Sequence, residues 1–240
     1  MIPKVIHYCW FGGNKKPQLA EKCIASWRKL CPDYEIREWN EDNFDFNCNE
    51  YVRFCAEQKK WAFLSDYVRL AVVAQYGGVY LDTDVELLKR PDEFLRYGAY
   101  YGFENDRNIN TGLGFGAEAG HPTVLAMKRV YEDMSPDPSG AFPAIACPAL
   151  NTQALLPFGL SLNGMRQNIS GAEILPVEYL NPYDDPTGRL NKTEKTISIH
   201  WYSKSWMDRG TVLRSKLTKP LHRIFGADFF QKMRKGANKP

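Results

Sequence analysis

The chain has 240 residues, 44% hydrophobic and 25% charged, which excludes general disorder and suffices for one domain with a sizeable core. The net charge is +3, yet residues 211–240 hold eight Lys/Arg against Asp228 alone, so a basic tail follows a body at −4. That asymmetry points to an anionic partner and speaks against a uniform nucleic-acid-binding surface. No apolar run approaches the ~20 residues of a membrane span, and the amino terminus lacks the long apolar region of a signal peptide. Six cysteines without a Cys-x-x-Cys spacing read as reduced thiols in a cytoplasmic protein.

In chain order, Ile2 to Phe11 reads as a first strand closed by Gly12-Gly13. Leu19, Cys23, Ile24, Trp27 and Leu30 then recur at helical spacing, Pro32-Asp33 breaks the helix, and Tyr34 to Trp39 alternates as a second strand. A strand–helix–strand unit of this length predicts a parallel pair in an α/β sheet. Residues 50–58 and 61–76 are helical, the latter through Leu64, Tyr67, Val68, Ala71 and Ala74. Gly77-Gly78 ends that helix in a left-handed backbone, and Val79-Tyr80-Leu81 is too short an apolar run for anything but a buried strand.

Asp82 and Asp84 fall where the strand gives way to a loop. Two carboxylates one residue apart repel each other and resist desolvation, and a divalent cation removes both penalties. Hard oxygen ligands suit Mg²⁺ or Mn²⁺, which also take substrate phosphate oxygens; the alternative reading of Asp-x-Asp is a solvated pair of turn aspartates. Upstream, Asp66 and Arg69 stand three apart on one helix face, as a substrate-binding pair or as a simple surface ion pair.

Beyond the aspartates, Ala99 to Phe103 reads as a strand, and Asn110 to Gly116 as another whose small residues admit a ligand to the backbone. Gly120-His121-Pro122 opens a helix to about Asp133, and Cys147-Pro148 opens one to Leu156. Residues 159–190 show one strand around Ile174. Thr196 to His200 alternates as a strand, followed by Trp201-Tyr202-Ser203-Lys204-Ser205-Trp206. After Pro220, Leu221, Ile224, Phe225, Phe229 and Phe230 mark a basic amphipathic helix, suited either to an anionic membrane surface or to packing on the domain. The boundary between domain and tail is set at 210/211.

Ser65-Asp66-Tyr67-Val68-Arg69, followed by Gly77-Gly78-Val79-Tyr80-Leu81-Asp82-Thr83-Asp84, resembles the signature of the DXD-containing sugar transferases. That family includes bacterial capsular polysaccharide transferases, yeast mannosyltransferases and, more remotely, the glucosylating domains of clostridial toxins. Ile6 to Gly13 resembles the family's opening segment, and His200 with Ser205-Trp206 its closing segment. The resemblance implies a GT-A-like α/β domain, a mostly parallel nucleotide-binding sheet flanked by helices. It implies a retaining hexosyl transfer from a nucleotide sugar, a UDP-sugar, to a saccharide or lipid-linked acceptor at the cytoplasmic membrane surface, with Mn²⁺ or Mg²⁺ as cofactor.

By position in that family, Asp82, Asp84 and His200 hold the metal, with Asp84 the direct carboxylate ligand, and Asp66 and Arg69 contact the donor. Ile6, Trp10 and Tyr80 lie along the donor, Trp10 stacking on uracil, while Lys204, Ser205 and Trp206 close over the diphosphate. Glu104 and Asn110 are candidates for sugar or acceptor contact. Thr152 fits a Gly-Pro-x-x-x-Thr-like segment from which Cys147 departs. Open alternatives are a non-catalytic nucleotide-sugar or glycan-binding protein, a toxin-like transferase acting on a protein, and a phosphohydrolase with Asp-x-Asp after a strand. The last would need Thr or Val where Glu86 stands.

Overall fold

The computed structural model describes residues 1–203 and 209–225. Strand β1 (Val5–Cys9) leads through helix α1 (Gln18–Leu30) to β2 (Glu35–Trp39), which lies parallel to β1 with Ile6 opposite Ile36. The crossover helix buries Ala20, Cys23, Ile24 and Trp27, the face its apolar period marks out. Helix α2 (Glu50–Glu57) starts at Asn49, whose side chain accepts from the Val52 N–H and so satisfies one of the open helix donors.

Helix α3 (Trp61–Tyr76) is covered on most sides, burying Leu64, Tyr67, Val68, Arg69, Leu70, Val72 and Val73. It turns through Gly77 and Gly78 into β3 (Gly78–Tyr80), which pairs parallel with β1. Gly77 takes φ 65° and Gly78 φ 113°, the positive-φ backbone that the double glycine suggests, with Gly77 ψ at −175°. The position also has no room for a side chain: a Cβ at Gly77 would stand 2.9 Å from Ala119 N and from Pro3 Cδ. At Gly78 it would stand 2.8 Å from Val5 O.

The remaining elements are β4 (Val85–Leu87), β5 (Ala99–Asn105), β6 (Asn108–Ile109), β7 (Phe115–Ala117), α4 (Pro122–Glu132), α5 (Cys147–Leu155), β8 (Gln167–Ile169), β9 (Ala172–Leu175), α6 (Val177–Leu180), β10 (Tyr183–Asp184), β11 (Arg189–Leu190), β12 (Ser198–His200) and α7 (Arg209–Phe225). The main sheet runs β2-β1-β3-β7-β5-β9-β8, with β6 on β5. β2, β1, β3, β5 and β9 all point one way, while β7 and β8 run against them. The sheet is therefore mostly parallel with helices flanking it, as expected.

Successive residues of a strand face opposite sides, and the two cores follow that rule. Tyr80, Tyr101 and Phe103 pack with Leu64, Val68, Met127 and Tyr131 on the α3–α4 side. Val79, Tyr100 and Ile6 pack with Trp27, Val85 and Phe94 on the α1 side. Burying Trp27 whole is possible because its indole N–H donates to the Val85 carbonyl at 2.7 Å, which also pins α1 to β4.

Three expectations need correction. Asn110 to Gly116 is not one strand: the Asn110 side chain accepts from the Gly112 N–H and caps a tight 3-10 turn, Thr111–Leu113, before β7 begins. Residues 159–190 hold β8, β9 and the β10–β11 hairpin rather than a single strand, because strands of two to four residues are too short to show a period. The last helix starts at Arg209 and carries Pro220 inside it. Its Lys219 ammonium donates to Tyr183 Oη at 2.7 Å and Asp185 Oδ1 at 3.1 Å, and Arg223 donates to the carbonyls of Thr187 and Gly188. The helix is thus docked on the β10–β11 hairpin, while Leu217 and Ile224 remain 68% and 73% exposed. Among the described residues no helix is long and apolar enough to cross a membrane.

Candidate active site

The site forms where the parallel strands end. Asp82 leaves the sheet just after β3, and Asp84 stands immediately before β4. β12 pairs antiparallel with β4, His200 opposite Val85, so a residue far along the chain is delivered beside Asp84. His200 Nε2 lies 3.1 Å from Asp84 Oδ1. The chain then wraps the same carboxylate: the Trp201 N–H donates to the Asp84 carbonyl at 3.0 Å and the Ser203 N–H to Asp84 Oδ2 at 2.7 Å. Between them Tyr202 takes φ 50°, a left-handed conformation that strains a side chain other than glycine and is typical of functional turns. One ligand atom from each of Asp82, Asp84 and His200 falls within 4.8 Å of the others.

Arg69 is the site's buried cation, 4% exposed on the inner face of α3. Its Nη2 lies 3.0 Å from Asp66 Oδ1 and 3.0 Å from Asp82 Oδ1. The Tyr80 hydroxyl also donates to Asp82 Oδ1 at 3.0 Å, and the guanidinium stacks 5.2 Å from the Tyr80 ring centre. The Asp66–Arg69 pair is therefore a buried charge cluster and not a surface ion pair.

The local field follows from this geometry. Burial pushes the Asp66 carboxyl up to about 6, against the pull of Arg69. Burial likewise raises Asp82, with Arg69 opposing and the neighbouring Asp84 adding to the rise. For Asp84 burial also acts upward, but the His200 imidazole and the Ser203 N–H outweigh it and hold the carboxyl well below its usual range. Burial would lower His200, and Asp84 reverses this and raises it.

A divalent cation fits these residues. Arg69 faces two carboxylates, Asp66 and Asp82, while Asp84 beside them is held by His200 and the Ser203 N–H, an arrangement rich in carboxylate oxygens that a hard cation would neutralise. The Nδ1 of His200 is buried with no hydrogen-bond partner among the described residues, an imidazole lone pair or proton without an assignment.

Asp66, Arg69, Tyr80, Asp82, Asp84 and His200 thus converge as the sequence pattern anticipates. Trp10 lies one residue beyond β1, at the strand end nearest Asp82, half-buried, its indole N–H donating to the Asn14 carbonyl at 2.6 Å. Ile6 is a correction: it is fully buried in the α1-side core, so its side chain offers a ligand nothing, and alternation along β1 is the reason. Lys204, Ser205 and Trp206 lie outside the described residues.

Sequence reasoning missed Cys147 as a site residue. At the start of α5 its thiol lies 3.6 Å from Arg69 Nη1 and donates to Asn110 Oδ1 at 3.4 Å. The available signal was its departure from the resembling segment. Thr152, the match in that segment, has a supporting place: it accepts from the Ile109 N–H at 2.8 Å and donates to the Pro148 carbonyl, locking β6 onto α5. Ser203 acts through its backbone, which no side-chain pattern encodes.

Comparison with known proteins agrees with this geometry. Residues 17–100 match the family model described as the glycosyltransferase sugar-binding region containing the DXD motif. The chain is 30% identical over 135 residues to inositol phosphoceramide mannosyltransferase 3 of Schizosaccharomyces pombe, covering 53% of this chain and 36% of that protein. It is 26% identical over 140 residues to a glycosyltransferase of Acanthamoeba polyphaga mimivirus, covering 56% of each. The matches thus span between about a third and a little over half of these relatives. Among solved structures, the PaToxG glycosyltransferase shares the fold at a TM-score of 0.50 and 16% identity, over 65% of this chain and 69% of that one. The matched residues 17–100, about a third of the chain, include the Asp66–Arg69 pair and Asp82-Thr83-Asp84, so this segment is similar to the glycosyltransferase sugar-binding region that contains the DXD motif.

Proposed function

We propose that this protein transfers a hexose from a nucleotide sugar, a UDP-sugar, to a saccharide or lipid-linked glycan in surface polysaccharide synthesis, retaining configuration and requiring Mn²⁺ or Mg²⁺. The observation that carries the reading is the convergence of Asp82, Asp84 and His200 beside the buried Asp66–Arg69 pair. The names of relatives add support for a hexose donor and a lipid-linked acceptor, since one is a mannosyltransferase acting on inositol phosphoceramide. A basic helix with exposed Leu217 and Ile224 supports peripheral contact with an anionic membrane surface.

In this reading Asp82, Asp84 and His200 hold the ion, which when bound neutralises charge on the leaving diphosphate. Trp10 and Tyr80 line the donor, and Lys204, Ser205 and Trp206 hold phosphate oxygens. Asp66 accepts a hydrogen bond from a donor-sugar hydroxyl, while Arg69 keeps Asp66 and Asp82 apart and fixed. The bond from the anomeric carbon to the diphosphate breaks and one to the acceptor oxygen forms. The acceptor proton leaves on the diphosphate, so no protein nucleophile is required.

The test is nucleoside diphosphate release from a panel of UDP- and GDP-sugars with Mn²⁺, with Mg²⁺ and with chelator. One donor should turn over only with metal, and Asp84→Ala should lower turnover at least ~10²-fold with the fold intact, as for loss of one preorganised electrostatic group. Turnover indifferent to chelator and to Asp84→Ala would sink the metal assignment. Silence across the panel with retained nucleotide binding would leave a non-catalytic binding protein.

A further inference from the structure

A chain of polar contacts leaves the Asp66–Arg69–Asp82 cluster and returns to Asp84 by another route. It runs from Arg69 to Cys147 (3.6 Å), from Cys147 to Asn110 (3.4 Å), and from the Asn110 amide to Glu104 Oε1 (3.0 Å). The Tyr202 hydroxyl then reaches Glu104 Oε1 at 3.4 Å, and the Tyr202 ring lies 4.1 Å, centre to centre, from His200, which contacts Asp84. The metal-binding trio occupies one side of this ring, and Glu104 stands on the other.

Three features mark Glu104 as more than framework. The β5–β6 pairing shifts register between Phe103 and Asn105, which makes Glu104 the bulged residue. Bulges of this kind re-aim a side chain and recur beside active sites. Its backbone is fixed in that position by the Asn181 amide, which donates to the Glu104 carbonyl at 3.0 Å. Both side-chain donors, Asn110 and Tyr202, converge on Oε1, and Oε2 accepts no hydrogen bond among the described residues. Glu104 is also only half-buried, unlike Asn110 and Cys147 beside it. The result is a half-buried carboxylate clamped by one oxygen, with the other left without a donor among the described residues.

We infer that Glu104 is a substrate-binding residue whose Oε2 accepts hydrogen bonds from the hydroxyls of a neutral sugar. The inference rests on the glycosyl-transfer reading above and deepens it. Neutral hydroxyls are the fitting partner because Asp66, Asp82 and Asp84 already make the ring anionic, which disfavours a uronic acid or a sugar phosphate at that position. A charged acceptor also strengthens hydroxyl hydrogen bonds relative to a neutral one. The hydroxyls come either from the donated sugar or from the acceptor, and kinetics separate the two.

Glu104→Gln keeps the shape and the Oε1 acceptor but turns the free oxygen into an amide donor. If the ligand is the donor sugar, the KM for metal-dependent donor hydrolysis without acceptor rises at least tenfold. If it is the acceptor, donor hydrolysis is unchanged and the acceptor KM in transfer rises at least tenfold. In both cases the affinity for the free nucleoside diphosphate and the melting temperature stay as in the wild type, which a merely structural role would not produce. Should Glu104→Gln fail to fold, Tyr202→Phe removes only one clamp on Oε1, and the same KM should rise at least threefold. Wild-type values for both KM terms in a folded variant overturn the inference while leaving the transferase reading intact. A wild-type protein that turns over no nucleotide sugar overturns both.

Discussion

Replacing Arg69 by Met probes the charge arrangement most directly, because the thioether stem fills similar space without the guanidinium. Arg69 is 4% exposed, and it holds two carboxylates, Asp66 at 15% and Asp82 at 25% side-chain exposure. Removing one partner of a buried pair typically costs about 3–5 kcal/mol, since the other charge is left uncompensated. The pH dependence gives a sharper signature. The Asp66 carboxyl already sits at about 6 against an ordinary 3.8, so ionising it in the folded protein costs about 3 kcal/mol. A group with a raised folded pKa leaves stability intact below its unfolded value and withdraws it as pH rises to the folded one, here between 3.8 and about 6. Without Arg69 that window extends upward, so the deficit grows from pH 5 to pH 8. Adding Asp66→Asn should recover about half of the loss. Urea unfolding followed by tryptophan fluorescence at pH 5, 6.5 and 8 reads all three quantities. A deficit under about 1 kcal/mol, or one equal at pH 5 and pH 8, refutes the reasoning.

Gly112→Ala tests how closely the 3-10 turn approaches the site, since a Cβ there would stand 2.7 Å from Asp82 Oδ2 and 3.0 Å from Asn110 Oδ1. The expected cost is about 1–3 kcal/mol of overpacking and the loss of any thermal shift by Mn²⁺, and an unaltered metal titration would count against this placement. His7 concerns stability alone. Burial lowers its pKa from 6.5 to about 4, with Nε2 on the Gly77 carbonyl at 2.8 Å and Nδ1 accepting from Trp39. The unfolded chain therefore binds the proton first, and about 3 kcal/mol of stability present above pH 6.5 is lost as pH falls to 4. His7→Gln should lose stability less steeply than wild type across that interval in melting experiments, and parallel curves would show that His7 does not titrate in this way.

What the sequence discloses is what neighbouring residues decide. The period of α1 and α3, the Gly77-Gly78 turn and the carboxylates behind a three-residue strand are local facts, and each appears in the fold where it was read. Asp66 and Arg69 share a helix face for the same reason. The sheet's order is another matter. β7 inserts antiparallel between β3 and β5, and this depends on which strand edges remain unpaired after β1, β2 and β3 have assembled. Residues 159–190 were opaque because their strands pair in stretches of two to four residues.

The candidate site shows the same division at finer scale. Asp82 and Asp84 announce themselves, but their environments diverge through partners from elsewhere in the chain. Arg69 and Tyr80 hold one carboxylate, while His200 and the Ser203 N–H hold the other. A side-chain pattern suggests His200 and is silent on Ser203, whose contribution is a backbone N–H aimed by the left-handed turn at Tyr202. Glu104, which the resemblance offers only as a candidate contact, has its direction set in a related way. Strict alternation along β5 assigns each side chain to one face of the sheet, and a register shift against β6 at that residue overrides the rule. The residues that complete this site are those whose direction is set by an irregularity in the backbone, and periodicity registers such a residue only as an interruption.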